Sequence, residues 1–285
     1  MIKENSILIT GGAGFFGRAF AKCLLEKTSM QRICIYSRDE WKQAQMRSAL
    51  DDPDERLRYF IGDVRDEDRL SRGMRGVDVV VHAAALKRIE TAHYDPIELC
   101  KTNIIGTINV AQAAADVGVK KVVMLSTDKA CQPCSAYGLS KALAECIMLS
   151  SNNTRSSNGP VYAVTRYGNV AGSTGSVIPI WKKMIKVGIK EVPVSDPDVT
   201  RFWMWDWEAV NLVIDTIFNM EGGEIVTPEL PAYRLGDLAE AMGVGMKIIG
   251  LGKYEKVHES MQDGVSSETA RRLTVDELRE MVKNV

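Results

Sequence analysis

The sequence predicts an α/β protein: a doubly wound parallel sheet with helices on both faces, followed by a smaller C-terminal lobe. Three observations predict it. Short apolar runs alternate with helical patterns from Ile7 to about Thr165, which argues for parallel strands joined by crossover helices. A glycine-rich turn separates the first strand from the first helix. Each polar cluster of interest follows a strand at its carboxyl end, where open sheets of this kind bind ligands.

The elements follow in order. Ile7-Leu8-Ile9 is a short buried strand that runs into Thr10-Gly11-Gly12-Ala13-Gly14-Phe15-Phe16-Gly17, and then into a helical pattern through Phe20, Cys23, Leu24 and Leu25. Gly11, Gly14 and Gly17 make G-x-x-G-x-x-G between strand and helix. Such glycines allow a tight turn and close backbone approach, with a pyrophosphate on the helix N-terminus, so the core reads as Rossmann-type. The second strand, Ile33 to Tyr36, ends in Ser37-Arg38-Asp39. An acid placed directly there suits a free ribose 2′-hydroxyl, whereas an arginine suits a 2′-phosphate, so Ser37 and Arg38 point to NADP. The plainer alternative for Arg38 is a surface pairing with Asp39 or Glu40.

The third strand, Leu57 to Ile61, is closed by Gly62-Asp63-Val64, and the fourth, Val77 to Val81, by His82-Ala83-Ala84-Ala85-Leu86-Lys87. One helix is expected over about 96–117. The fifth strand is the apolar run Val122 to Leu125 and the sixth runs from Val161 to Thr165. The Ser- and Asn-rich stretch 150–159 reads as a flexible loop. After Asn169 the alternation fades. The expected division is 1–169, a nucleotide-binding core carrying the catalytic residues, and 170–285, mainly a substrate-binding lobe with some elements returning to the core.

The densest chemistry lies between the fifth strand and the next helix. Ser126-Thr127-Asp128-Lys129 sets a hydroxyl, an acid and an ammonium side by side, and Tyr137 and Lys141 follow four residues apart on one helical face. A phenol beside a lysine can serve as a base, because the ammonium stabilises the phenolate. Asp128 and Lys129 form a second acid/base pair. Hydride transfer alone needs only the first pair, so the second suggests added elimination chemistry.

Composition sets the class. Of 285 residues, 45% are hydrophobic and 26% charged, with a net charge of -1, a balance that offers no attraction to nucleic acid or to an anionic membrane. No apolar run reaches the length of a membrane span. Met1 to Asn5 lead directly into the first strand, with no room for a signal peptide. Six cysteines fall mostly in predicted strands and helices and read as reduced thiols of a cytoplasmic protein. Cys131-Gln132-Pro133-Cys134 has no second C-x-x-C, and His82, His93 and His258 are too few and too scattered for a metal site, so no metal is expected.

These motifs carry a family resemblance. The chain resembles an extended short-chain dehydrogenase/reductase, and more closely the UDP-N-acetylglucosamine 4,6-dehydratases that begin routes to modified bacterial sugars. The resemblance rests on the glycine loop, Tyr36 to Glu40, Gly62-Asp63-Val64, Ala83 to Lys87 and Lys101-Thr102-Asn103. It continues through Ser126 to Ala130, Tyr137 to Lys141, Arg166 to Val170, Thr200-Arg201-Phe202 and Glu255-Lys256-Val257-His258-Glu259. It covers about residues 5–270. The segment Gln132 to Ala136 departs from the family pattern.

The resemblance implies a redox-neutral cycle. Tyr137, helped by Lys141 and Thr127, would take the proton of the sugar 4-hydroxyl as hydride leaves C4. Lys129 would then remove the C5 proton while Asp128 protonates the departing 6-hydroxyl, and hydride would return to C6. It implies NADP contacts from Gly11, Gly14, Phe15, Phe16, Gly17, Arg18, Ser37, Arg38, Asp63, Val64, Ala83, Ala84, Ala85, Lys87, Asn103, Tyr137, Lys141 and Val170. The substrate would meet Lys87, Asn169, Thr174, Gly175, Ser176, Val177, Ile178, Arg201 and Lys256, with Arg201 suited to the diphosphate. It also implies self-association through helices. Tyr137 at the helix position implies inversion at C5. Two rival functions are a UDP-sugar 4-epimerase, for which Asp128 and Lys129 would have no use, and a non-catalytic NADP-binding scaffold or regulator.

Overall fold

A computed structural model describes residues 4–285, so the reading of Met1 to Lys3 as an immediate lead into the first strand lies outside the described residues. The first half alternates β1 (Ser6–Thr10), α1 (Phe15–Lys27), β2 (Arg32–Ser37), α2 (Glu40–Ala49), β3 (Leu57–Ile61), α3 (Glu67–Met74) and β4 (Val79–His82). Then come α4 (Ile89–Tyr94), α5 (Pro96–Cys100), α6 (Gly106–Asp116), β5 (Lys121–Thr127), α7 (Ala136–Thr154), β6 (Val161–Tyr167) and β7 (Asn169–Val170). The rest is α8 (Val177–Lys186), β8 (Glu191–Val194), β9 (Thr200–Met204), α9 (Asp206–Asn219), β10 (Ile225–Val226), β11 (Ala232–Arg234), α10 (Leu235–Ala241), β12 (Gly245–Ile248), β13 (Ser260–Gln262), β14 (Val265–Ser266) and α11 (Val275–Lys283).

Seven strands form one sheet in the order β10-β6-β5-β4-β1-β2-β3, and all its pairs are parallel. The central strands are buried on both faces, which is why they read as continuous apolar runs rather than as alternation. Ile7 and Ile9 point to one face, under α1 and α9, and Leu8 points to the other, under α3, α6 and α7. The C-terminal part therefore returns to the core twice. Val210, Val213 and Ile217 of α9 cover the sheet beside α1, and β10 adds the seventh strand. The lobe proper packs α8, α10 and α11 on the strands β8 and β9 around Trp181 and Trp203.

Two expectations about local structure need correction. The stretch expected as a loop over 150–159 continues α7 as far as Thr154. Ser150 and Ser151 donate their hydroxyls to the Ile147 carbonyl, and Asn152 exchanges hydrogen bonds with both backbone groups of Tyr162. These side chains satisfy backbone groups within a helix, where composition alone suggested a turn. The single helix expected over 96–117 is interrupted by one π-helical turn, Lys101–Ile105. That turn carries Asn103 inward. Its Oδ1 accepts from the Leu86 amide at 2.8 Å, and its Nδ2 donates to the Leu86 carbonyl at 2.9 Å and to Ser140 Oγ at 3.0 Å. One side chain thereby ties the loop after β4 to α7, and so ties the two halves of the site together.

Candidate active site

The glycine loop has the shape its sequence demands. Gly11 has φ +66°, and a Cβ there would sit 2.9 Å from Ala84 Cα, so only glycine lets the loop after β1 meet the loop after β4. A Cβ on Gly17 would strike the Gly12 backbone. No side chain caps the start of α1 at Gly14, and the first turn carries no acid. Its free amides suit a phosphate. The residues here therefore fit a dinucleotide. Arg18 stays beside this end, where its Nε donates to the Ala13 carbonyl at 3.0 Å. At the tip of β2, Ser37 Oγ accepts from Gln43 at 2.9 Å. Arg38 is half exposed, and its nearest acid is Asp63 at 3.7 Å rather than Asp39 or Glu40. Val64 is buried in the core, and its carbonyl accepts from Asn109 at 3.0 Å. His82 is a buried structural histidine between Thr10 and Thr107, held neutral down to about 3 by burial and the Lys141 ammonium.

The cluster after β5 is built by a sharp turn. Thr127 ends the strand, and Asp128–Ala130 form one 3-10 turn behind it. Thr127 Oγ1 donates to Asp128 Oδ1 at 2.9 Å, and Lys129 Nζ donates to the same oxygen at 3.1 Å and to Asn169 Oδ1 at 3.1 Å. Asp128 is completely buried, and its Oδ2 has no partner among the described residues. Burial works against the Lys129 ammonium. The Asp128 and Glu259 carboxylates outweigh it, and the amine lies above its ordinary range.

Ser135 caps α7 by accepting from the Gly138 amide at 3.1 Å, and this sets Tyr137, buried, in the first turn. The spacing of Tyr137 and Lys141 led to the expectation that Lys141 would ease ionisation of the phenol. Burial instead pushes the phenol up to about 12, and the ammonium that partly offsets this is Lys129. Lys141 is itself brought down to about 8 by burial, with Glu145 opposing. Glu145 in turn holds Arg166 through two hydrogen bonds of 3.0 and 2.6 Å.

A cleft of about 530 Å³ opens over Lys129, walled by Arg201, Tyr254, Glu255, Lys256, Glu259, His93 and Cys134. Of the residues expected at the substrate, Arg201 and Lys256 line it. Both are already engaged. Arg201 pairs with Glu255 at 2.7 Å, with no aromatic stacking partner, and Lys256 donates to the Cys131 carbonyl at 2.8 Å and to Glu259 at 3.0 Å. Lys87 is exposed, and its amine is lowered by partial burial and by Lys129. Thr174, Gly175 and Ser176 form the turn into α8, and Val177 is its first residue, all outside the cleft lining. Ile178 is buried in the lobe core beside Trp181, which makes it a packing residue. Val170 pairs with Met204 in the small sheet.

The structure adds Glu259, the last residue of the Glu-Lys-x-His-Glu motif, to the site. Its carboxylate is buried, 3.8 Å from the Lys129 amine. His93 accepts from the Ala136 amide and stacks on Tyr254 with centroids 3.4 Å apart, closing one side of the cleft. Among the described residues no cluster has the makings of a metal site, and no helix is long and apolar enough to cross a membrane.

Comparison with known proteins agrees with this architecture. A model of the family described as polysaccharide biosynthesis protein matches residues 7–278. A Campylobacter jejuni protein named UDP-N-acetylglucosamine 4,6-dehydratase (inverting) is 47% identical over 263 residues, covering 92% of this chain and 78% of that protein. A Rickettsia canadensis protein named UDP-glucose 4-epimerase is 43% identical over 277 residues, covering 94% of this chain and 80% of that one. Among solved structures, Pen from Bacillus thuringiensis superposes with a TM-score of 0.94 at 30% identity and covers all of both chains. DesIV, a dTDP-glucose 4,6-dehydratase of Streptomyces venezuelae solved with NAD bound, superposes at 0.79 with 22% identity over 97% of this chain and 95% of its own, which speaks to the fold alone. A family model that spans residues 7–278 and a relative 47% identical over most of both chains place the chain in the polysaccharide biosynthesis protein family.

Proposed function

We propose that the chain removes water from UDP-N-acetylglucosamine to give a UDP-4-keto-6-deoxy-N-acetylhexosamine inverted at C5, with NADP held along the carboxyl edge of the sheet. The product would begin a route to a modified glycan sugar. The observation that carries this reading is the Asp128–Lys129 pair, 3.1 Å apart beside the buried Tyr137. Epimerisation at C4 has no use for a second acid/base pair. Support for the substrate and for inversion also comes from the name of the Campylobacter relative.

The chemistry divides between two groups of residues. When bound, NADP would supply the hydride acceptor for C4 and the hydride donor for C6. Tyr137 takes the 4-hydroxyl proton as a phenolate, having first given its own phenol proton to a neutral Lys141, whose amine lies at about 8. The ketone at C4 then acidifies the C5 hydrogen. Elimination needs a neutral Lys129 to take that proton and a protonated Asp128 to give one to O6. A single proton moving from Nζ to Oδ1 across the 3.1 Å hydrogen bond creates both at once and leaves the charge of the pair unchanged. After elimination the ammonium and carboxylate are restored. Each such proton transfer is worth roughly 10²–10⁴-fold in rate.

The preference for NADP rests on Arg38 and Ser37 at the tip of β2, where no acid directly follows the strand. Lys87 and Arg201 supply positive charge for the diphosphate. Six free thiols accord with a reducing cytoplasm, and the exposed faces of α5 to α7 accord with self-association. The second reading, a UDP-sugar 4-epimerase, is favoured by the name of the Rickettsia relative. Product mass decides between them. The purified protein is incubated with UDP-N-acetylglucosamine and no added reductant. Loss of one water with no net change in cofactor redox state is expected. A product of unchanged mass overturns the reading.

A further inference from the structure

We infer that Glu259 is a positioning residue for Lys129: its buried carboxylate, anchored by Lys256, sets the charge of the Lys129 amine during elimination. The inference rests on the dehydratase reading above. Glu259 approaches from the segment leading into β13, 130 positions from Lys129 along the chain and facing it across the cleft. Its Oε1 lies 3.8 Å from Lys129 Nζ, a charge-pair distance too long for a hydrogen bond. Its Oε2 accepts from Lys256 Nζ at 3.0 Å, and Lys256 is in turn fixed to the Cys131 carbonyl at 2.8 Å. Only 3% of Glu259 is exposed. Burying a carboxylate is costly unless it is paired, and here the two lysines are its partners.

The arrangement has a chemical consequence. Lys129 uses two of its N–H donors on Asp128 and Asn169. Those contacts fix its direction, and Glu259 sets how strongly it holds a proton. Other charges and titratable groups act on the same amine: Asp128 on its own turn, Tyr137 from α7, Lys87 from the loop after β4, Arg201 from β9 and Tyr233 from β11. Arg201 and Lys87 repel the ammonium. Glu259 is the carboxylate besides Asp128 that favours it, and Lys256 tempers that effect by neutralising part of the charge. A Lys129 held this way is a stronger base once it is neutral, and it retains the proton it takes from C5 instead of returning it.

The test uses two variants with opposite signs. In single-turnover reactions of the NADP-loaded protein with UDP-N-acetylglucosamine, reduced cofactor reports C4 oxidation and product mass reports elimination. For wild type, elimination falls at alkaline pH, where Lys129 loses its proton to solvent and none is left for Asp128 to give to O6. Glu259→Gln keeps the shape of the side chain and removes its charge, so that fall moves toward acid by about one pH unit. Lys256→Met leaves Glu259 untempered, so the fall moves toward alkali. C4 oxidation keeps its own pH profile in both. A pH profile of elimination that stays put in Glu259→Gln, or an unmoved or acid-shifted one in Lys256→Met, overturns the inference. If Glu259→Gln does not fold, the sign of the Lys256→Met shift alone decides. A wild type that releases product of unchanged mass overturns the dehydratase reading instead, so the two failures are distinguishable.

Discussion

Lys129 Nζ donates to Asp128 Oδ1 across 3.1 Å, although the two residues are neighbours in the chain. Side chains of adjacent residues rarely meet, because a strand sends them to opposite faces and a helix sends them to different sides. The single 3-10 turn after β5 brings this pair together. It leaves Asp128 Oδ2 buried and without a partner among the described residues, and the Lys129 amine at the wall of the cleft.

That geometry separates the half-reactions. Lys129→Ala retains C4 oxidation, so reduced cofactor accumulates on adding substrate, while water loss falls by roughly 10²-fold or more. Tyr137→Phe loses both. Stopped-flow absorbance of the reduced nicotinamide, read beside product mass, checks this. Dehydration by Lys129→Ala at the wild-type rate removes the role given to the pair.

The tip of β2 governs the choice of cofactor. Arg38 is half exposed and 3.7 Å from Asp63, so its guanidinium is only loosely held. Wild type should bind NADP at least tenfold more tightly than NAD, and Arg38→Asp should reverse the order, since loss of a charge-assisted contact is worth about 1.5–3 kcal/mol. Titration calorimetry with each cofactor measures it. Equal affinities in wild type remove the argument from the 2′-phosphate.

Asn103 is a structural clamp. Asn103→Ala removes three hydrogen bonds that join Leu86 to Ser140 and leaves buried backbone groups unpaired. A loss of about 2 kcal/mol in unfolding free energy is expected, with weaker cofactor binding because the loop after β4 faces Gly11. Urea unfolding with and without NADP tests both parts, and an unchanged midpoint contradicts the clamp.

The stereochemical outcome has its own measurement. Inversion at C5 moves H5 off the ring face it shares with H3. Proton NMR of freshly formed product should therefore lack a cross-ring nuclear Overhauser effect between H3 and H5. A strong H3–H5 effect marks retention and removes the link drawn between Tyr137 and inversion.

The sequence by itself determined the sheet, the glycine loop and the order of the catalytic side chains, because each is a local pattern. Continuous apolar runs report strands buried on two faces, and Gly11 is required by a backbone angle and a close approach. Spacing also put Thr127, Asp128 and Lys129 at a strand end and Tyr137 and Lys141 on the next helix. Spacing did not reveal the ionisation of Tyr137, which depends on burial and on Lys129 more than on the lysine one turn away. Nor did composition reveal that Ser150 to Thr154 extend α7, because Asn152 pairs with the Tyr162 backbone only once that strand is beside it. Tertiary structure alone decided that α9 and β10 return to the core, that Arg201 is held by Glu255, and that Glu259 and Lys256 converge behind Lys129. Those pairings join residues far apart in the chain. Their energies depend on distances and burial that exist only after folding, and no short-range pattern encodes them.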